Sequence, residues 1–459
     1  MLKHKGFIVL VGCLLIASSA SAQQYFKLSS DWVTGLGTYV VVEEGSTGGV
    51  LSGNRVLVGA ALNSNDPKHA WVNRDFGTDY TIKCDVRMDS WTDAQDLSRA
   101  GIVGRMRQNP PDGSGDRGIN LLLHDNINRV QFLNDLQGWG PNVDFSWDPL
   151  VWYTLEMTIT GNSVSGAMYL TSEGPGGVES VVIPSWNFVN PQNRTTGFVG
   201  VTPSTLEGVQ ASFDNFQVIQ NGQVVFEDDF ESDALEPQPM KVGLGPNWVS
   251  GEAGFWVVSG GVLYGISANR VDPKHVWVNI PMSGGGAIKG DCRMVSWIDA
   301  ADLSRAGFVL HMQPNGTGGG RAPNPAVGTG EDRGINMLFH ENVNTVEYLN
   351  DLVAWANTDD NTIPWDVRTW YTFDFTSDGF VVEGTFGARG GAPADAITLQ
   401  PWTFPGNAQR IDGFAGLTAS TNAGPMAAWD NIEVRDAAGT VIFTDDFETF
   451  VSVDDWSVR

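Results

Sequence analysis

The feature that most constrains this chain is a stretch that occurs twice. Residues 116–135 read DRGINLLLHDNINRVQFLND, and residues 332–351 read DRGINMLFHENVNTVEYLND. Apolar residues alternate with polar ones in the first half of each copy, which is the two-residue period of a β-strand with one buried face. The central Asp/Glu-Asn-x-Asn run is typical of a turn, and a second alternating segment follows it. Each copy therefore predicts a β-hairpin.

The duplication extends over most of the chain. DPKHAWVN at 66–73 returns as DPKHVWVN at 272–279, and DLSRAG at 96–101 returns at 302–307. A repeat of about 200 residues is too long for a solenoid and has the size of a whole domain. The sequence predicts a signal peptide at residues 1–22, a first domain at 23–231 and a second domain at 232–459.

The first 22 residues have the pattern of a secretory signal. Lys3 and Lys5 precede an apolar run at 7–16, and small residues lead to Ala22. We therefore expect a secreted protein, extracellular or periplasmic. The alternative, a lipoprotein anchored through Cys13, is disfavoured because the apolar run continues past that cysteine. No later stretch has the roughly 20 apolar residues of a membrane-spanning helix.

The charge is strongly negative. Lys and Arg total 27 against 53 Asp and Glu, which gives a formal net charge of −26. An acidic surface repels phosphate backbones, so nucleic acid is excluded as a partner. The acidity favours solubility, with calcium binding as a further interpretation.

Two cysteines lie outside the signal segment, at Cys84 and Cys292. Cys84 precedes Asp85, whereas Cys292 follows Asp291, so the two thiols take non-equivalent positions in the two copies. We expect buried free thiols rather than a disulfide.

Short alternating segments dominate the predicted secondary structure. Examples are YTIKCDVRM at 80–88 and FVVEGTF at 380–386, and glycine-rich turns separate such segments. No long stretch has a helical period. The fold class expected is all-β, with two tandem antiparallel β-sandwich domains of jelly-roll type.

Several short motifs resemble those of the concanavalin A-like lectin and glucanase superfamily, most closely its laminin-G-like jelly rolls. They are FEDDFE at 226–231, FWVV at 255–258, GGVL at 260–263, and the FDN and WDN triplets that begin at Phe213 and Trp429. The resemblance implies a β-sandwich, on a scaffold that carries lectins, hydrolases, lyases and adhesion modules. Two placements of the acidic segments stay open: each closes its own domain, or the one at 445–448 pairs back towards the first domain.

The resemblance also implies a structural calcium ion. By position its side-chain ligands would be Asp214 and Asp430, with Asp228, Asp229, Asp445 and Asp446 as weaker candidates. Calcium prefers six to eight oxygen ligands, which carboxylates and loop carbonyls supply. The alternative is that each Asp-Asn pair only caps a turn through its own hydrogen bonds.

A possible sugar site occurs once per copy. Sugars stack on aromatic rings, while amides and carboxylates bind their hydroxyl groups. The residues of these types are Asn120, His124, Asn134, Asp135 and Trp139 in the first copy, and Asn336, His340, Asn350, Asp351 and Trp355 in the second. The alternative assigns the histidines and tryptophans to the core and rim of the sandwich.

Two further pairs of repeated residues have expected structural roles. Arg99 and Arg305 are expected to form ion pairs with Asp116 or Asp332. The Lys-His pairs at 68–69 and 274–275 are interpreted as solvated loops.

Signatures of catalysis are missing from the sequence. The Glu-x-Asp-x-Glu strand that glucanases of this superfamily use does not occur, and neither does a Gly-x-Ser-x-Gly or His-Glu-x-x-His motif. The favoured function is a secreted, non-catalytic carbohydrate-binding or adhesive protein, whose partner is a polysaccharide or glycoconjugate. The alternatives are a polysaccharide hydrolase or lyase, including a keto-sugar hydrolase, and a structural cell-surface module. The oligomeric state stays open.

Overall fold

The structure is a computed structural model of the 459-residue chain. It describes residues 25–34, 38–45, 51–61, 69–90, 99–107, 117–124, 128–188, 195–203, 210–232, 234–236, 241–242, 244–250, 255–266, 274–296, 305–313, 333–340, 345–351, 354–356, 365–404, 411–419 and 426–448. The predicted signal segment and Cys13 lie outside these ranges. In the part described, no helix is long and apolar enough to cross a membrane.

The first half of the chain forms two sheets. Sheet 1 contains β1 (Tyr25–Lys27), β3 (Thr38–Gly45), β4 (Leu51–Ala60), β6 (Tyr80–Ser90), β11 (Tyr153–Thr160), β12 (Ser163–Leu170), β13 (Ser180–Asn187), β15 (Gln210–Gln220), β16 (Gln223–Asp228) and β17 (Ala234–Glu236). Sheet 2 contains β2 (Trp32–Thr34), β5 (Ala70–Val72), β7 (Arg99–Arg107), β8 (Arg117–His124), β9 (Arg129–Asn134), β10 (Gly138–Asp144) and β14 (Phe198–Thr202).

The second half repeats this arrangement. Sheet 3 contains β18 (Lys241–Val242), β20 (Phe255–Ser259), β21 (Val262–Ile266), β24 (Gly286–Ser296), β29 (Tyr371–Ser377), β30 (Val381–Ala388), β31 (Ile397–Thr398), β32 (Trp402–Thr403), β34 (Met426–Asp436) and β35 (Val441–Asp445). Sheet 4 contains β19 (Trp248–Ser250), β22 (Lys274–Val278), β23 (Met282–Ser283), β25 (Arg305–Gln313), β26 (Arg333–His340), β27 (Thr345–Asn350), β28 (Ala354–Trp355) and β33 (Asp412–Ala419). A single 3-10 turn at Pro393–Asp395 is the one helical element described.

Each pair of sheets encloses its own apolar core. Ile119, Leu121 and Leu123 of sheet 2 are buried in one cluster with Ile82 and Val86 of sheet 1. The equivalent cluster between sheets 3 and 4 is separate. Every described strand pairing is antiparallel except the short β18–β20 pair. The prediction of an all-β protein built of antiparallel sandwiches is confirmed.

The repeated stretch forms the predicted hairpin in both halves. In the first half β8 pairs with β9 in the register His124 with Arg129 and Asn120 with Leu133. In the second half β26 pairs with β27, with Asn336 opposite Leu349. The hairpins therefore place equivalent side chains at equivalent points of sheets 2 and 4.

The acidic segments close their own halves, which decides between the two placements. β16 pairs with β15, and β35 pairs with β34. Strand β17, which follows the first acidic segment, pairs with β1 and adds the last strand to sheet 1.

The two halves meet through the outer faces of sheets 1 and 3. Ala60 of sheet 1 packs in one cluster with Val257, Tyr264 and Met426 of sheet 3. The Ser296 hydroxyl donates a hydrogen bond to Ser90 Oγ at 3.3 Å. These residues lie on the side of each sheet that faces away from its own core.

The two cysteines behave as expected. Cys84 and Cys292 are free thiols with no exposed surface, one in each core. Burial raises the pKa of both thiols well above the ordinary value, because the thiolate loses its hydration.

Candidate functional site

The outer face of sheet 2 carries an exposed tryptophan. Trp139 lies opposite Leu133 at the start of β10 and is 44% exposed. The Arg99 guanidinium carbon lies 4.6 Å from the centre of its ring, and the His124 ring meets it edge-on at 4.7 Å between ring centres. Arg99 and His124 are directly opposite each other on β7 and β8. Two neighbouring strands thus hold one indole in place by a cation–π contact and an edge contact.

The strand that carries Trp139 rests on a second tryptophan. A Cβ placed on Gly140 would lie 2.4 Å from the indole of Trp186 on β13 of sheet 1, so only glycine allows this close approach. The Gln131 side-chain amide donates to the Gly140 carbonyl at 2.9 Å. These contacts fix the backbone next to Trp139 and define the position of its ring.

A second polar group lies on the same face, four residues earlier on β8. The Asn120 side-chain amide donates to Asp135 Oδ2 at 3.0 Å and to the Leu133 carbonyl at 3.3 Å, and its Oδ1 lies 3.1 Å from His69 Nε2. Asp135 also accepts the Gly118 backbone N–H at 2.7 Å. Asn120, Leu133 and Trp139 lie in one row across β8, β9 and β10, so Leu133 stands between this network and the Trp139 backbone.

The same network recurs in the second half. Asn336 donates to Asp351 Oδ2 at 2.9 Å, and its Oδ1 lies 3.3 Å from His275 Nε2. Asp351 accepts the Gly334 backbone N–H at 2.8 Å. Asn120, Asn336, His69 and His275 are each at most 2% exposed. Their hydrogen bonds satisfy buried polar atoms and stabilise the hairpin, which is a structural role.

Asn134 and Asn350 do not join the predicted sugar sites. They lie opposite Ile119 and Ile335, on the core side of their strands, and are fully or almost fully buried. Asn134 Oδ1 accepts the Leu136 backbone N–H at 3.0 Å and so caps the turn into β10. The structure does not bring them together with Asn120 and Asn336, which lie opposite Leu133 and Leu349, because the next residue of each strand points to the other face.

The second half repeats the backbone of the tryptophan cluster. Trp355 lies opposite Leu349, as Trp139 lies opposite Leu133, and His340 lies opposite Arg305. His340 Nδ1 lies 3.9 Å from Glu347 Oε2. Sheets 2 and 4 thus present the same residue types at the same register positions.

The predicted calcium ligand Asp430 does not fit a cation site. Arg389 donates to Asp430 Oδ2 at 2.8 Å, and its Nε lies 3.0 Å from Asp291 Oδ2. A guanidinium therefore already binds both carboxylates, balances one of their two negative charges and occupies the place that a metal ion would take. The alternative, in which the Asp-Asn pair only makes local hydrogen bonds at a turn, fits the structure. Asn431 lies at a β-bulge with φ 53° and donates to Asp291 Oδ2 at 2.9 Å.

Asp214 occupies the same place in the first half, where Thr171 follows β12 as Arg389 follows β30. It lies opposite Asp85, accepts the Asn54 side chain at 3.3 Å and accepts the Asn215 backbone N–H at 2.7 Å. The Thr154 hydroxyl donates to Asp85 at 2.5 Å. Burial raises the pKa of Asp214 to about 6, with the Asp85 charge acting in the same direction. No group of three or more acidic, histidine or cysteine residues suited to a metal ion occurs in the described ranges.

The weaker calcium candidates have other partners. Trp32 donates its indole N–H to Asp228 Oδ2 at 2.8 Å, and Trp248 donates to Asp445 Oδ2 at 2.8 Å. Asp229 and Asp446 accept backbone N–H groups two residues further along the chain.

Sequence reasoning misplaced two histidines and missed one contact of Arg99. Arg99 stacks on Trp139, which was not predicted, and its expected ion pair with Asp116 falls outside the described residues. His69 and His275 were interpreted as solvated loop residues, and both are buried partners of an asparagine. The available signal was the exact repetition of Asp-Pro-Lys-His and Asp-Leu-Ser-Arg in both halves.

Comparisons with known proteins identify no family. No protein-family model matches the chain, and no curated protein matches its sequence. Three similar solved structures are the carbohydrate binding module CBM66 from Bacillus subtilis, the VIP36 exoplasmic/lumenal domain in its Ca2+/Man-bound form, and arcelin-5, a lectin-like defense protein from Phaseolus vulgaris.

Each of these structures matches less than half of the chain. CBM66 is 12% identical with a TM-score of 0.30, over 43% of this chain and 100% of its own. VIP36 is 12% identical with a TM-score of 0.28, over 46% and 91%. Arcelin-5 is 11% identical with a TM-score of 0.30, over 42% and 94%. At these TM-scores the likeness carries no argument about function, and the fold assignment depends on the strand pairing described above.

Proposed function

We propose that the protein is a secreted, non-catalytic carbohydrate-binding or adhesive protein whose partner is a polysaccharide or glycoconjugate. The observation that supports this is Trp139, an exposed indole held by Arg99 and His124 on the outer face of sheet 2. A fixed aromatic ring offers a flat apolar surface to the C–H face of a sugar at little cost in side-chain entropy.

The groups around this ring suit a sugar rather than an apolar ligand. The Arg99 guanidinium has several N–H donors, and a sugar that stacks on Trp139 brings its hydroxyl groups to the rim of the indole. His124 is only 2% exposed, so its contribution is to orient the ring rather than to contact a ligand. The binding site thus consists of Trp139 with Arg99, and the buried Asn120 network supports the sheet beneath it.

The proposal includes one such site in each of two tandem domains, at 23–231 and 232–459. The second site has Trp355, His340 and Arg305 at the register positions of the first. Strand β17 at 234–236 follows the proposed boundary and pairs with β1, which ties the start of the second domain to the first. Export by the signal at 1–22 belongs to the same proposal.

A structural calcium ion is proposed at Asp214 only. Its support is the contrast between the halves: Arg389 binds both Asp291 and Asp430, whereas Thr171 takes the place of that arginine beside Asp85. Calcium is expected to raise the melting temperature of the wild-type protein and of Asp430→Asn, but not that of Asp214→Asn. An equal response of all three proteins would contradict the assignment.

The proposed function is tested by retention on a panel of insoluble glucans, xylans, mannans and fructans. The wild-type protein is expected to bind at least one polymer, Trp139→Ala and Trp355→Ala to bind it more weakly, and the double variant to lose binding. Phe380→Ala is the matched control, because Phe380 is as exposed as Trp139, at 44%, and lies between β29 and β30 of sheet 3. Retention on no polymer would overturn the proposal.

The same panel decides between binding and catalysis. Reducing sugar ends or unsaturated products in the supernatant, lost on His124→Ala or His340→Ala, would favour the hydrolase or lyase alternative. Binding without products is the result we expect.

A further inference from the structure

The contact between the two halves joins equivalent residues. Ser90 and Ser296 each follow an Arg-Met pair at the same distance, and they hydrogen bond to each other. Each serine also accepts a backbone N–H from the equivalent strand of its own half: Gln210 donates to Ser90 and Met426 donates to Ser296, both at 3.1 Å. Contact between equivalent residues is the pattern of an isologous interface, in which the same surface of each half faces the other.

The order of the sheets determines where the proposed sites point. Sheets 1 and 3 meet through their outer faces, so sheets 2 and 4 lie behind their cores on the far sides. The layer order is sheet 2, sheet 1, sheet 3, sheet 4.

The outer faces of sheets 2 and 4 therefore point in opposite directions. Packed sheets lie about 10 Å apart, so about 30 Å separates sheet 2 from sheet 4. A glycan chain that stacks on Trp139 runs along one outer face of the molecule. To reach the position of Trp355 the same chain would have to pass round the whole four-layer stack.

We propose that the protein bridges two separate glycan chains, instead of binding one chain at both sites. This inference rests on the proposed function. A single chain that occupied both sites would gain affinity by effective concentration, but that gain disappears when the geometry prevents simultaneous binding. Two outward-facing sites in one covalent unit instead make a cross-linker with a fixed spacing.

The interface that sets this geometry is well packed. Val257, Tyr264, Val295 and Met426 of sheet 3, which share one cluster with Ala60 of sheet 1, are each at most 6% exposed. This apolar cluster and the Ser90–Ser296 hydrogen bond hold the halves in one orientation, so the sites do not turn towards each other.

The experiment uses two bead populations in different colours, both coated with the polysaccharide that retains the full-length protein best. The wild-type protein is expected to form mixed aggregates of both colours. Trp139→Ala and Trp355→Ala are expected to reduce capture of the protein about twofold and to reduce mixed aggregates at least tenfold. Sedimentation of the wild-type protein and of each variant supplies the mass of the species that bridges.

The outcomes separate the two proposals. Capture without mixed aggregates overturns the bridging inference and leaves carbohydrate binding intact. Mixed aggregates that persist in both single variants also overturn it, because bridging then comes from self-association. A long polysaccharide that binds at least a hundredfold more tightly than its short oligosaccharide, with the difference lost in either variant, shows both sites on one chain and overturns it too. No capture at all overturns the proposed function itself.

Discussion

Trp32 donates its indole N–H to the Asp228 carboxylate at 2.8 Å, so the second strand of the first half is tied to the acidic strand that ends it. Burial raises the pKa of Asp228, and the N–H donors of Phe230 and Trp32 counteract this effect. The Trp32 ring also meets Phe216 edge-on at 5.0 Å between ring centres. One residue thus joins the start of the fold to its end, through both polar and apolar contacts.

Trp32→Phe is expected to lower the free energy of unfolding of the first half by about 1–3 kcal/mol, because phenylalanine keeps the ring contacts but removes one of the two N–H donors of a half-buried carboxylate. Denaturation by guanidinium chloride measures this change. Trp248→Phe, which removes the equivalent bond to Asp445, is expected to have a similar effect on the second half. Glu227→Gln, at an exposed neighbour, is the control. Unchanged midpoints in both tryptophan variants would contradict this role.

The sequence predicted the fold because the fold depends on local alternation. Ile119, Leu121 and Leu123 show a two-residue period, and the structure buries all three in one core. The pairing of β8 with β9 as a hairpin followed from the same short segment. Such a pattern can be recognised from residues that are close in sequence, without knowing which strands pair.

The candidate site was harder to predict because its residues meet across strands. Arg99 and Trp139 are distant in sequence and come together only because β7, β8, β9 and β10 are neighbours in sheet 2. Asn134 was misplaced because the alternation was not followed through the turn that separates it from Asn120. The difference between Asp214 and Asp430 depends on Arg389, on a strand that the Asp-Asn motif does not identify.

Asp214 makes the stability of the first half depend on pH. Burial raises the pKa of its carboxyl from 3.8 to about 6 in the folded protein, so the folded state binds this proton more tightly than the unfolded state. Stability from this group is therefore present below about pH 4 and is lost as the pH rises towards and through 6. Unfolding measured in calcium-free buffer from pH 4 to 7.5 is expected to show this decline in the wild-type protein and not in Asp214→Asn.

Asp430→Asn is the matched control for that measurement. It removes one carboxylate that Arg389 contacts, so it is expected to lower stability at neutral pH, whereas Asp214→Asn is expected to raise it. A wild-type stability that rises between pH 4 and 6, with the rise lost in Asp214→Asn, would contradict the raised pKa of Asp214.

Asn120 is expected to act on stability and not on ligand binding. Asn120→Ala removes the hydrogen bonds to Asp135 and His69 inside sheet 2 and leaves buried polar atoms without that partner, which costs about 1–3 kcal/mol. Thermal unfolding and bead capture are measured on the same sample. The melting temperature is expected to fall by several degrees while capture of the folded protein stays unchanged. Loss of capture at an unchanged melting temperature would instead show that Asn120 takes part in ligand binding.

Gly140 is expected to affect binding through the position of Trp139. In Gly140→Ala the new methyl group would lie 2.4 Å from the Trp186 indole, so β10 must move away from sheet 1 and carry the Trp139 ring with it. We expect at least a tenfold loss of affinity at the first site. Gly140→Ala combined with Trp186→Leu makes room for the methyl group and is expected to restore most of that loss. Titration with an oligosaccharide, followed by tryptophan fluorescence, measures the affinity of all three proteins. If Gly140→Ala alone binds as tightly as the wild-type protein, the position of the Trp139 ring does not depend on this contact.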